Sequence, residues 1–444
     1  MKKVEMKKMC LSELLDLDLH IPAYQRIYCW NATNLKPLLA NLSTIKGEHM
    51  LGTIVLHQIG KNTFDIVDGQ QRIVSLALIL QHLGWTDSSI FDQSFNSPLS
   101  EKRISDNKYI IQDYFERRGH CVEASLLLSN LTFEVIILNA DSLNLAYTFF
   151  SNVNSKGKPL SDFDLLKAHH LRFIYSEKQA AHLATEWDGM LHNPKSNYSK
   201  VAEHLFVIRR WMRNEDWNTD DKYLIKQEFS AADIFEEIPP FAEKFKATEP
   251  IQGGSHFFGY YDHFVRAYSN FRDELMVDVE DSVSKRGRKP VFSPTVVDNK
   301  IYLFDYPYHQ PFISIIETLS FAYYIKFGAI YLAEAVALIA RAVSSVRYRT
   351  SQFSKERVYS DCARLNIVQA IDRATSPTFF LKDVANLIDK LPLYKNELGK
   401  IQNKANKKKG YVLERYHAVV QEMVLKIEPL MTVKEIKENY VEQK

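Results

Sequence analysis

The sequence predicts an α+β domain followed by a mainly α-helical region, and three observations carry that prediction. Runs of strand composition, LGTIVLHQ, TFDIV and LTFEVIIL, fall within the first third of the chain. Apolar residues at helical spacing alternate with them. Beyond residue 176 strand signals almost vanish. Helical patterns then follow one another at 178–190, 200–215, 238–247, 257–277, 311–326, 329–347, 355–373, 379–390 and 411–428. The expected division is 1–175 and 176–444.

The elements justify themselves in order. Leu11 to Leu15 is a short apolar segment, and the IPAYQRIYCW stretch after it reads as extended, since Pro22 biases its neighbour away from helix. Asn31 suits the N-cap of a helix to Leu42, with Pro37 as an irregularity. Leu51–Gln58 and Thr63–Val67 form a hairpin about Gly60-Lys61-Asn62. Ile73–Leu83 is a helix that Gly84 ends. Leu131–Leu138 is a strand, Leu143–Asn154 a helix, Ser155–Pro159 a polar loop, and Ser161 caps a helix from Asp162 to Tyr175.

Composition narrows the function classes. The 444 residues are 46% hydrophobic and 25% charged, with a formal net charge of +2, so no global field draws the chain to polyanions. Cys10, Cys29, Cys121 and Cys362 are scattered without a C-x-x-C pair, which argues against a zinc site or disulfide framework. The start, MKKVEMKKMCLSELL, lacks the apolar core of a secretion signal. Phe312–Val343 is interrupted by Glu317, Lys326, Glu334 and Arg341, which a bilayer span would not tolerate. A cytoplasmic protein without membrane partners is expected.

Three segments concentrate chemistry. In FDIVDGQQRIVSLALIL, the turn from strand to helix holds Asp68, Gly69, Gln70, Gln71 and Arg72. Helix-initial amides, a glycine without Cβ, neutral amide donors and a planar guanidinium together suit a phosphate. Asp68 would hold a divalent cation or orient Arg72. The plainer alternative is an Asp-Gly turn with Arg72 in a structural salt bridge. In IPAYQRIYCW, Tyr24, Tyr28 and Trp30 offer stacking surfaces beside Gln25 and Arg26, a second phosphate-capable cation. The plainer alternative there is an edge strand with its aromatics in the core. In FFSNVNSKGKPLSDFDLLK, Asn154, Lys156 and Gly157 form a polar loop, and Asp164 and Lys167 lie three apart on one helix face. A solvated ion pair would explain that spacing equally well.

In this order, the segments resemble the N-terminal domain of the GmrSD-type restriction endonuclease family, which has a ParB-like nucleotide-binding fold. The family pattern I-P-x-Y-Q-R-x-Y-x-W stands here at Ile21–Trp30, D-G-Q-Q-R at Asp68–Arg72, and F-x-x-x-N-x-[RK]-G-x-x-L-x-x-x-D-L-x-K at Phe150–Lys167. The resemblance implies that Asp68, Gln71 and Arg72 carry any hydrolysis. It also implies that Tyr24, Gln25, Arg26, Gly69, Gln70, Asn154, Lys156, Gly157, Asp164 and Lys167 line a nucleotide pocket. It implies an NTP with Mg²⁺ as cofactor, DNA as partner, and a role in bacterial defence against phage. One departure is Asn41-Leu42, where the family usually has an acidic residue.

Full-length relatives often end in an HNH-type nuclease. None of the fourteen histidines stands in such a context: His309 precedes Gln-Pro without a following L-G-N, His417 reads as a helix face, and Leu398-Gly399 is followed by Lys400. The expected function is therefore a nucleotide-binding, NTP-hydrolysing component acting with a separate nuclease. The alternatives are an autonomous metal-dependent DNase and a non-enzymatic adaptor. Two basic stretches, SKRGRKP and KANKKKG, suit nucleic-acid backbone or simple solvation.

Overall fold

The computed structural model describes residues 4–93, 97–118, 122–140, 143–153, 160–193, 196–215, 224–230, 245–278, 296–297, 300–305, 310–349, 354–391 and 416. All of the expected helix at 411–428 except Tyr416, residues 238–244 of that at 238–247, both basic stretches, His309 and His417 lie outside the described residues.

The first part runs β1 (Val4–Cys10), α1 (Leu11–Leu15), β2 (Asp18–His20), α2 (Ala32–Leu42), β3 (His49–Gln58), β4 (Thr63–Asp68), α3 (Gln70–His82), α4 (Pro98–Arg118), α5 (Ala124–Asn130), β5 (Leu131–Leu138), α6 (Leu143–Val153), α7 (Asp162–Leu171) and α8 (Glu177–Leu191). The second runs α9 (Tyr198–Met212), α10 (Leu224–Phe229), α11 (Ser255–Glu274), β6 (Met276–Asp278), β7 (Val296–Val297), β8 (Lys300–Tyr302), α12 (Gln310–Phe327), α13 (Leu332–Arg349), α14 (Lys355–Ala363), α15 (Ile367–Arg373) and α16 (Pro377–Ile388). Two compact units divide the chain: Met1–Ser196 with Lys226–Glu237 and Pro250–Gly259, and the remainder.

Unit one is built on a mixed five-stranded sheet of order β1-β5-β3-β4-β2. β1 and β5 are antiparallel, as are β3 and β4, while β5/β3 and β4/β2 are parallel. Ile54, Leu56, Phe64, Ile66, Phe133 and Val135 put one face into a core with Leu14, Leu35, Leu39, Ile111 and Leu127. Helix α3 supplies Ile73, Val74, Leu76, Ala77, Ile79 and Leu80, apolar nearly all round and buried nearly all round. On the opposite face α6 lies against β3 and β4. The α2 cap forms as expected: the Asn31 side chain accepts from the Thr33 amide at 2.9 Å, and Pro37 sits within the helix.

Three expectations change. Ile21–Trp30 is irregular rather than an extended strand, folded back at its start where the Gln25 amide donates to Pro22 O at 3.0 Å. Helix α7 stops at Leu171 instead of running to Tyr175. The pattern at 355–373 is two helices, because Asn366 between them adopts the left-handed conformation, φ 55°. The edge strand β1 and helices α4 and α5 have no counterpart in the sequence reading. β1 alternates poorly, its central residues being exposed, and α4 is largely polar with few buried residues.

Unit two is helical, with one short three-stranded sheet of order β6-β8-β7 where no strand signal was seen. Its core contains Ile313, Ile316, Leu319, Ala335, Leu338 and Ile339 from α12 and α13. Glu317 is buried among them and accepts hydrogen bonds from the Tyr302 hydroxyl at 2.8 Å and from Tyr268. His204 Nδ1 lies 2.8 Å from the Thr318 hydroxyl, and burial pushes its imidazole below the usual range. No described helix is long and apolar enough to cross a membrane.

Candidate functional site

The polar turn is shaped by two breaks in strand register. In β3, Met50 faces Thr132 of β5 and Thr53 faces Glu134, so Leu51 and Gly52 form a bulge. Gly52 has φ +98°, and a Cβ there would meet the Arg72 guanidinium at 2.9 Å. Arg72 donates to Leu51 O at 2.9 Å and Thr53 O at 2.5 Å, the carbonyls on either side of Gly52. The second break is in β4, where Ile66 faces Leu56 and Asp68 faces Val55, with Val67 bulged between them. That bulge re-aims Asp68 relative to Asp65.

Gly69 has φ +101°, a conformation that favours glycine. The space its Cβ would take is occupied by the Ile54 side chain rather than left open for a ligand. This corrects the expectation that Gly69 opens the backbone to a phosphate: it closes the packing of β3 against the turn.

The two glutamines differ. Gln71 Oε1 accepts from the amides of Cys29 at 2.9 Å and Trp30 at 3.2 Å, and its Nε2 donates to Ile27 O at 3.2 Å. Gln25 returns the tie, its Nε2 donating to Ile66 O and Val67 O, both at 2.7 Å. These side chains stitch the irregular segment onto β4 and α3, and replace the ladder a strand would have supplied. Gln70 is also buried, but its Oε1 has no hydrogen-bond partner among the described residues.

Arg72 is likewise engaged by the protein. Besides the two carbonyls it contacts Asp68 Oδ2 at 3.4 Å, and burial lowers its pKa against the opposing pull of that carboxylate. Burial raises the Asp68 pKa, and Arg72, the Gly69 amide and Arg26 oppose the rise. Asp68, Arg72 and Arg26 therefore share one corner, with Arg26 on the segment that Gln25 holds in place.

Tyr24 is buried against Tyr147 and Phe150, with ring centroids 4.8 and 5.5 Å away, so it has no face left for a base. Its hydroxyl finds no partner among the described residues. Lys167 is fully buried and donates to Gln25 O at 2.6 Å and to both oxygens of Asp188 at 2.9 and 2.8 Å. Burial raises the Asp188 pKa, opposed by that ammonium. Lys167 thus pairs with Asp188 of α8, not with Asp164, and is out of a ligand's reach. Asp164 closes the N-terminus of α7, its Oδ2 accepting from the Ser161 amide at 2.9 Å. Asn154, Lys156 and Gly157 lie outside the described residues.

One acidic residue escaped the sequence reading. Asp65, in the middle of β4, has His57 of β3 and His20 of β2 as its register partners. Burial pushes its carboxyl up to about 6; His20 opposes the shift and Glu177 adds to it. Its charge also acts on Tyr24 and Tyr147 and helps raise both phenols. The signal was present: a charged side chain inside TFDIV, where a strand covered on both faces should be apolar.

Residues 11–171 match the family model described as "GmrSD restriction endonuclease, N-terminal domain". Residues 235–403 match one described as "Family of unknown function (DUF7834)". A search of curated proteins finds no match.

Proposed function

We propose, on the premise that residues 11–171 are a domain of the GmrSD restriction endonuclease N-terminal family, that the chain is a restriction-system component whose first unit binds a nucleoside triphosphate with Mg²⁺ and which acts on DNA. The observation that supports nucleotide binding is the corner where Asp68, Arg72 and Arg26 meet beside the start of α3. In this reading Arg26 takes the phosphate contact first expected of Arg72. Arg72 is a positioning residue that holds the β3 bulge and orients Asp68. Asp68 offers a carboxylate to Mg²⁺, a hard cation that prefers oxygen ligands. The Gln70 Oε1 and the Tyr24 hydroxyl, which have no partner among the described residues, suit a polar ligand, since buried polar groups in folded proteins are ordinarily paired. Gln71 has its polar atoms committed to the backbone and orients no water. DNA cleavage by a separate nuclease subunit is part of this proposal.

A second reading, a non-enzymatic adaptor with a structural turn, is favoured by one specific observation: Gln25, Gln71 and Arg72 all bind backbone carbonyls or amides. Calorimetric titration of the full chain with each NTP and Mg²⁺ separates the two. The expected result is binding by the wild type and a loss of about tenfold or more, roughly 1.4 kcal/mol, in Arg26→Ala, measured where that variant remains folded. No binding of any NTP by the wild type would leave the adaptor. Mg²⁺-dependent cutting of DNA by this chain alone would overturn the separate nuclease.

A further inference from the structure

The two edges of the unit-one sheet are finished differently. At one, β2 is three residues long; its Leu19 amide donates to Ser89 Oγ at 3.0 Å, and the Ile21 amide just past it to Gln93 Oε1 at 3.3 Å. That edge is closed by the protein itself. At the other, β1 runs for seven residues, and apart from its ladder to β5 no hydrogen bond from a described residue reaches the backbone of Val4–Lys8. Glu5 to Lys8 are exposed, Met6 to 61%. An edge strand of this kind offers a row of N–H and C=O groups to any strand that can lie beside it.

Charges on an edge strand commonly prevent such pairing. Those of β1 oppose some pairings and favour one. Glu5 and Lys7 share one face of the sheet, Met6 and Lys8 the other. In a two-fold antiparallel pair, side chains of one face meet those of the same face, so the axis falls on a residue. The registers that overlap most of β1 centre on Met6, Lys7 or Lys8. Centring on Lys7 or Lys8 sets that ammonium against its own copy. Centring on Met6 sets Glu5 against Lys7 of the second copy, and Lys7 against Glu5 of the second copy, with methionine against methionine on the other face. Within one chain Lys7 Nζ lies 3.1 Å from Glu5, so four groups would alternate in sign around the axis. Lys8 has Glu48 of its own chain as counter-charge.

We infer that β1 is a self-recognition edge: a second copy of this chain pairs with it antiparallel about Met6, and one sheet runs through both copies. Such a patch is self-complementary and closes into a dimer. Backbone hydrogen bonds hold the pair, and the charges choose its register, since like charges directly opposite destabilise.

The test is sedimentation of the full chain over a concentration series at low salt, in wild type, Glu5→Lys, Lys7→Glu and the doubly swapped variant, with melting temperatures measured alongside. Expected is a wild-type dimer, dimerisation weakened about tenfold or more in each single variant, and recovery in the double swap. Mixing the two single variants decides the register. Glu5→Lys carries two cations on that face and Lys7→Glu two anions, so an equimolar mixture forms the dimer that neither forms alone. A wild type that stays monomeric at about 100 μM overturns the inference. So do single variants that dimerise as tightly as the wild type, or a mixture that associates no better than its parts.

Discussion

Two polar groups of unit one, close in sequence, have opposite character. Gln25, Gln71, Arg72 and Lys167 are polar residues whose hydrogen bonds go to the protein itself. Tyr24 and Gln70 are buried but keep atoms without partners among the described residues, and Asp65 is a part-buried carboxylate in the same unit. The first set replaces regular structure: it ties an irregular segment, a bulged strand and a helix start into one corner. The second set leaves polar atoms without the hydrogen bonds that would offset their removal from water. Residue type does not separate them, since each set contains a glutamine. What separates them is whether a carbonyl or amide happens to be in reach.

The comparison breaks most visibly at Lys167. Replacing it with alanine leaves Asp188 buried and unpaired and removes the tie to Gln25 O, so destabilisation of about 3–5 kcal/mol is expected in chemical denaturation. A loss under about 1 kcal/mol would move Lys167 out of the architectural set.

Asp65 sharpens the comparison with the opposite sign. Its folded pKa, about 6, lies above the ordinary carboxylate value, so the folded state binds the extra proton between roughly pH 4 and 6. Stability contributed by this group therefore falls as pH rises through that window, and the penalty persists above it. Asp65→Asn should stabilise the protein at pH 7 by up to about 3 kcal/mol and leave it nearly unchanged at pH 4. Denaturation curves at the two pH values check this; equal effects at both would mean the carboxylate is not strained by burial.

The smallest effect belongs to Asp164. Its work is one half of a capping box, so Asp164→Ala should cost about 0.5–1 kcal/mol and leave nucleotide affinity unaltered. A selective affinity loss would return it to the binding set.

Unit two offers a contrast within the same principle. Glu317 is as enclosed as Lys167, and two tyrosine hydroxyls donate to it, so its carboxylate is satisfied by the fold. His204 Nε2, 3.8 Å from Glu317, has no hydrogen-bond partner among the described residues.

Much of the fold was legible because it rests on local patterns. The strands β3, β4 and β5 and the helices α2, α3 and α6 announce themselves by β-rich runs, period and caps. The edge strand β1 was not legible, since its exposed lysines and glutamate make no apolar pattern and its pairing depends on β5, more than a hundred residues away. At the site, D-G-Q-Q-R and Y-Q-R were correctly singled out as belonging together, and Gln71 and Gln25 do join the two segments. Their roles were not legible, because a glutamine's chemistry is the same whether it faces a phosphate or a carbonyl.

By itself, then, the sequence settled the α+β class, the order of the main elements and the pairing of two motifs at one strand–helix junction. The first two follow from periodicity and local backbone preference, which act over a few residues; the meeting of the two motifs was implied by the resemblance to the family. Only the tertiary structure decided that Arg72 caps a bulge, that Gly69 makes room for Ile54, that Lys167 answers Asp188 and that Asp65 stands between His20 and His57 in the sheet. Each of those depends on which group from a distant segment comes within 3 Å or so, and hydrogen bonds are lost when that distance is missed.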